Sequence, residues 1–152
     1  MENLIFRLAA AEEMPCILNM QRDIFCGEQG IPGDSIDAFM SKEPICWCAV
    51  SAEDGKICAA TAAWNEDGET HWGRFIVIPE MRGRHIGTEL ARFSFEELFA
   101  MGVEKIHMEA RDSTVKIVCR MGGEITGQPF EFFKGGNVTP VVLEKKNYIR
   151  KG

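Results

Sequence analysis

Basic charge is in short supply: 17 Lys and Arg stand against 23 Asp and Glu, a net charge of −6 in 152 residues. That deficit excludes a nucleic-acid partner, which needs a basic face to displace counterions from phosphates; any anionic ligand must be met by a local device. There is no uncharged apolar run of about 18 residues or more, and the first eleven residues carry Glu2 and Arg7 in place of an apolar signal core. The expectation is a cytoplasmic protein with no membrane span. No Cys-x-x-Cys pair occurs either. Cys16, Cys26, Cys46, Cys48, Cys58 and Cys119 lie mostly in apolar segments, and a chain of this length does not need disulfide staples, so reduced core thiols are expected. Cys46-Trp47-Cys48 would place two thiols on one face of a strand, but no histidine cluster joins them and no metal is expected. Repeats, low-complexity tracts and linkers are absent too. What remains is 45% hydrophobic and 26% charged, the ordinary balance of a globular chain, read as one domain over residues 1–152.

Leu4 to Leu8 reads as a strand. Met14, Ile17, Leu18, Ile24 and Phe25 recur at helical spacing between Ala11 and about Gln29, with Glu12 and Glu13 suited to the helix N-terminus and Gly30, Pro32 and Gly33 stopping it. A partly helical stretch is expected around Ile36 to Met40. Ile45 to Ala52 and Lys56 to Trp64 form a hairpin across Glu53-Asp54-Gly55, and Asn65 to Gly68 turns the chain into a strand Thr70 to Ile78. In that strand Phe75-Ile76-Val77-Ile78 is unbroken apolar, which predicts burial on both faces. A helix runs from about His85 to Met101, closed by Gly102, with Ile86, Leu90, Phe93, Leu98 and Met101 on its apolar arc. A strand Lys105 to Ala110 leads to a short helix Ser113 to Met121, capped by Asp112 or Ser113. Phe130 to Phe133 and Val138 to Leu143 close the chain as a hairpin across Gly135-Gly136-Asn137. The order β-α-(α)-β-β-β-α-β-α-β-β mixes a meander with two crossovers, which predicts an α/β (α+β) fold: one mixed sheet of about seven strands flanked by about four helices.

Unusual residue choices converge between Phe75 and Thr88. An apolar strand ends at Pro79, passes through the basic turn Met81-Arg82-Gly83-Arg84-His85, and enters a helix at Ile86-Gly87-Thr88. Unpaired amides and the dipole at a helix start favour an anion, Gly83 and Gly87 allow close approach to the main chain, and Arg82 and Arg84 add charge. A diphosphate cradle would have this pattern. So would a plain strand-to-helix turn with two solvated arginines.

Val77-x-Pro79-Glu80-x-Arg82-Gly83-Arg84-His85-Ile86-Gly87 resembles the acyl-coenzyme A site of the GNAT superfamily of N-acyltransferases, whose motif runs Gln/Arg-x-x-Gly-x-Gly/Ala. His85 stands where the middle glycine is expected, so its side chain must point away from the phosphates or serve as a further donor. The element order also resembles that superfamily, over nearly the whole chain. Arg22-x-x-Phe25-x-x-Glu28-Gln29-Gly30-Ile31-Pro32, followed by Asp37, is similar to a signature of the ElaA-like and YjcF-like branch; a helix end with an Arg22–Glu28 ion pair would also account for it.

The resemblance implies acetyl-coenzyme A as co-substrate and a primary amine of a small molecule or peptide as acceptor, joined in a ternary complex. It implies that main-chain groups of Phe75, Ile76 and Val77 pair with the pantetheine arm, that amides of Gly83, Arg84, His85, Ile86, Gly87 and Thr88 hold the diphosphate, and that a main-chain N–H near Ile76 stabilises the oxyanion. Glu28 is the leading candidate for the proton acceptor, with Glu109 and His71 as rivals. The superfamily's Tyr four residues before a Gly in the last helix is replaced by Val118; Cys119 and the only tyrosine, Tyr148, are possible substitutes. Arg111 occupies a position where relatives often carry Asn or Gln. Two functions therefore stand: an N-acetyltransferase, or a coenzyme A-binding sensor or regulatory module that lacks efficient chemistry. Either is compatible with a monomer or a homodimer.

Overall fold

The computed structural model describes residues 3–27, 39–132 and 136–150. Eight strands form one sheet: β1 (Leu4–Leu8), β2 (Ile45–Ser51), β3 (Ile57–Glu66), β4 (Glu69–Val77), β5 (Lys105–Arg111), β6 (Glu124–Ile125), β7 (Phe130–Glu131) and β8 (Asn137–Glu144). Their spatial order is β1-β2-β3-β4-β5-β8-β6, with β7 also paired to β8. Every pairing is antiparallel except β4 with β5. Three α-helices accompany the sheet among the described residues: α1 (Met14–Gln21), α2 (Ile86–Ala100) and α3 (Asp112–Arg120).

The centre of the sheet is built from small residues. Cys58-Ala59-Ala60-Thr61-Ala62-Ala63 in β3 is buried throughout. Alanine has little intrinsic preference for a strand, but here helices cover both faces and only a short side chain lets them come close. Ala59 and Ala63 meet Leu90, Phe95 and Leu98 of α2 in the larger core. Ala60 lies on the opposite face with Ile17 of α1 and with Ile24 and Phe25 just beyond it. Cys46 and Cys48 share that second face; all six cysteines are free thiols, but only Cys46, Cys48 and Cys58 are buried, while Cys26 and Cys119 are partly buried and Cys16 is exposed. Trp72 crosses to the α2 side, where its indole N–H donates to Ser94 Oγ at 2.9 Å and Ser94 donates onward to the Ala91 carbonyl.

Two irregularities in β4 shape everything near the basic turn. The first is a bulge. Gly73 lies opposite Ala62 and Ile76 opposite Ala60, so Arg74 and Phe75 together face Thr61 alone. Arg74 takes φ +57° to make the extra residue fit. The second is a splay. Parallel pairing of β4 with β5 covers only Thr70 with Ile106 and His71 with His107, whereas β5 stays paired with β8 over its whole length. Beyond His71 the two strands separate and leave a gap in the sheet.

Several boundaries differ from the sequence expectations. The first helix is not regular to Gln29: a 3₁₀ turn (Ala11–Glu13) precedes α1 and a π turn (Arg22–Cys26) follows it. The expected helical stretch near Ile36 appears only as a 3₁₀ turn at Phe39–Lys42, its earlier residues lying outside the described ones. Phe75 and Val77 are only half-buried, because the gap exposes the face that was expected to be covered. Met101, placed on the apolar arc of the long helix, is 53% exposed after the last turn has ended. No side chain caps α3, whose preceding residue is Arg111 in extended conformation; Asp112 and Ser113 are already inside the helix. The two-residue strand β6 carries no sequence signal of its own.

The segment 145–150 straps the back of α2. Tyr148 donates its hydroxyl to Glu96 at 2.7 Å, and Arg92 donates to that hydroxyl and to the Ile149 carbonyl. Ile149 N–H binds the Met121 carbonyl at 2.8 Å.

Candidate functional site

A cleft of about 600 Å³ opens where β4 and β5 part. Phe75, Ile76 and Val77 form one wall, the turn and helix start from Met81 to Thr88 form the floor, and Arg111 with Ser113, Thr114, Ile117 and Arg120 of α3 forms the other wall. The first two groups are the ones singled out in the sequence, and the fold brings them together. Arg84 is exposed beside the cleft, outside its lining. Glu28, with Gln29 to Asp37 of its motif, lies outside the described residues.

The main chain of β4 presents hydrogen-bonding groups to this gap. Ile78 N–H binds the Cys58 carbonyl at 2.9 Å, and Ile76 lies opposite Ala60. Antiparallel alternation therefore turns Ile76 toward β3 and Val77 toward the gap. Arg82 reports the same direction: its Nε donates to the Val77 carbonyl at 3.0 Å from the cleft side. Ile76's own N–H therefore lies on the ladder side, and Phe75, in the bulge just before it, falls outside the regular alternation.

Gly87 is needed at the junction of strand and helix. A Cβ there would stand 2.8 Å from Phe75 Cζ and 3.3 Å from Val77 Cγ2. The absence of that atom lets α2 begin directly against β4, with its first free amides facing the cleft. Four potential cations, Arg82, His85, Arg111 and Arg120, line this cleft in a chain of net charge −6. Arg111 is held at its place by a bond to the Gly136 carbonyl at 2.8 Å and by the Phe132 ring, 5.3 Å from its guanidinium carbon. Partial burial lowers its pKa from the ordinary value. The α3 side was not assigned from sequence, although Thr114, Ile117 and Arg120 share a helical face by their spacing of three.

His85 adopts φ +63° at the residue before α2, the left-handed region that a glycine would occupy freely. An L side chain there costs about 1 kcal/mol relative to glycine. His85→Gly is expected to raise stability by that amount, read as a melting temperature a few degrees higher. A fall in melting temperature would show that the imidazole is anchored by the cleft.

Neither residue offered as a substitute for the family tyrosine lines the cleft. Tyr148 lies on the back of α2, and burial followed by its bond to Glu96 pushes its hydroxyl up to about 12. Cys119 is absent from the cleft lining. Val118 is 0% exposed, beneath Gly123 and beside Val141. Val118→Tyr is expected to overpack this position and lower stability by about 1–3 kcal/mol; an unchanged melting temperature would contradict that packing. His71 stands at the last β4–β5 pair and Glu109 two residues beyond His107. Met108 and Ala110 point into the core beneath α2, so strand alternation sets Glu109 on the other face of the sheet.

The sheet splits between its two parallel strands, and a helix N-terminus and arginines gather at the split, an arrangement suited to an anionic ligand. The acetyltransferase (GNAT) family model matches residues 15–121, and the chain belongs to that family. A search of curated proteins by sequence gives no match. Among solved structures, Escherichia coli ElaA superposes with a TM-score of 0.77 at 15% identity, covering 95% of this chain and 100% of that one. A spermidine N-acetyltransferase from Vibrio cholerae, solved in complex with CoA and spermine, gives a TM-score of 0.73 at 13% identity over 95% and 97% of the two chains. A GCN5-related N-acetyltransferase from Kribbella flavida gives 0.74 at 19% identity over 93% and 97%. At these identities the likeness is one of fold.

Proposed function

We propose that this protein transfers an acetyl group from acetyl-coenzyme A to a primary amine of a small molecule or peptide, by direct attack in a ternary complex. The observation that carries the reading is the gap between β4 and β5, with outward main-chain groups on one wall and the first amides of α2 at its floor. Bound there, the co-substrate supplies an activated thioester carbonyl. The amides from Gly83 to Thr88 hold its diphosphate, joined by Arg82 and His85, while Arg111 and Arg120 face it from the opposite wall. Phe75 and Val77 offer the open-edge main-chain groups that pair with an extended pantetheine arm. For that pairing Arg82 Nε releases the Val77 carbonyl and turns to the phosphates. The N–H of Phe75 stabilises the oxyanion.

The attacking amine must lose a proton, because alkylamines are protonated near neutrality. Glu28 is the proposed acceptor by its place in the Arg22 to Asp37 motif, which together with the ElaA superposition supports the ElaA-like branch. Glu109 and His71 are the alternatives among described residues. The excess of acidic residues favours a cationic acceptor, so polyamines belong in the test beside amino acids and peptides.

A second reading is favoured by one observation. Val118 is fully buried where the resemblance expects a tyrosine, which suits a coenzyme A-binding module without efficient chemistry. Release of free thiol from acetyl-coenzyme A across a panel of amines separates the two. Turnover with one amine class above the amine-free background supports the enzyme; coenzyme binding with no release by any amine supports the module.

A further inference from the structure

Gln21 is 1% exposed and ends α1, just before the helix widens into the π turn Arg22–Cys26. Its Nε2 donates to the Arg74 carbonyl at 3.3 Å, while its Oε1 is buried with no partner among the described residues. A buried amide satisfied on one side only is less stable than an apolar side chain of the same volume. The bond that Gln21 does make falls on the irregular peptide of β4. Arg74, at φ +57°, holds its guanidinium over the Phe25 ring, 5.9 Å from the centroid, and Phe25 belongs to the same π turn. One helix end thus supports the bulge twice, and π turns recur at functional positions.

The peptide joining Arg74 to Phe75 is trans, so its C=O and N–H point in opposite directions. Directing the carbonyl toward α1 directs the Phe75 N–H away from α1. Resting on the acyl-transfer reading above, we propose that Gln21 is a positioning residue for the oxyanion donor, clamping the bulge peptide so that the Phe75 N–H is aimed at the thioester oxygen before charge develops there. Gln21 touches neither substrate. Its clamp acts through a main-chain group, and a donor fixed in advance is what makes such stabilisation effective. The diphosphate rests on α2 and the Val77 edge lies outside the clamp, so loss of Gln21 removes from coenzyme binding only what the arm gains at Phe75.

Gln21→Met keeps the volume and removes the donor. The expected result is a melting temperature equal to or above wild type, a Kd for free coenzyme A within about twofold, and a kcat lower by about 10- to 100-fold at nearly constant KM for acetyl-coenzyme A. Crystal structures of ligand-free wild type and variant are expected to differ in the orientation of the Arg74–Phe75 peptide. A kcat within about threefold of wild type, or the peptide unmoved in the variant, overturns the proposal. Should Gln21→Met not fold, Gln21→Asn withdraws the amide from the carbonyl and takes the same readouts. If wild type acetylates no amine, the acyl-transfer reading fails, and the crystal comparison still decides whether Gln21 is the clamp.

Discussion

Gly87→Val is expected to weaken coenzyme A binding by about 100-fold or more, equivalent to roughly 2.7 kcal/mol. The first added carbon would press on Phe75 Cζ at 2.8 Å and Val77 Cγ2 at 3.3 Å, and valine adds two methyls beyond it. Relief requires the start of α2 to back away from β4. The helix amides and the open edge of the strand would then no longer face one ligand at the same time, and both contacts are needed to hold a diphosphate and the arm attached to it. The substitution lies at the first turn of a helix whose remaining turns are anchored by Leu90, Phe95 and Leu98, so the fold should survive. Isothermal titration with coenzyme A, paired with a thermal melt, reads both quantities. A folded variant that binds within about threefold of wild type would contradict the cradle.

The other large effect concerns stability alone. Gly122 takes φ +106°, and a Cβ there would overlap the Asn147 carbonyl oxygen and lie 2.9 Å from the carbon it is bonded to. The obstacle is main chain and cannot rotate aside. Gly122→Ala should therefore cost about 3 kcal/mol or more, lowering the melting temperature by about 6–12 °C. The strap over α2 would detach, losing the Ile149 to Met121 bond and the Tyr148 to Glu96 bond. A drop below about 2 °C would show that the strap contributes little. Because Tyr148 is remote from the cleft, coenzyme binding measured well below the melting transition should be unchanged.

The floor of the cleft was legible because its signals are local. Proline stops a strand, glycine marks close approach, and basic residues collect where a helix begins; all of these lie between Pro79 and Thr88. The order of the main elements was legible from apolar spacing for the same reason. What escaped is what distant chain segments impose. Nothing in Arg74-Phe75 announces a left-handed arginine, since its neighbours Gln21 and Phe25 come from another element, and so the bulge in β4 went unread. The separation of β4 from β5 is a property of two strands that meet at only two residue pairs, and it turned a stretch read as buried on both faces into a cleft wall. Arg120 reaches the site through the placement of α3. Val118 could be recognised as a departure from the family pattern, but its burial against Gly123 and Val141 is set by distant segments.

The account turns on where the coenzyme sits, and a crystal structure of the protein with acetyl-coenzyme A reads that directly. It should show the pantetheine arm lying along Phe75 to Val77 between β4 and β5, the diphosphate on the amides from Gly83 to Thr88, and Arg82 withdrawn from the Val77 carbonyl. An empty gap at millimolar coenzyme, or a coenzyme bound elsewhere on the molecule, would contradict it.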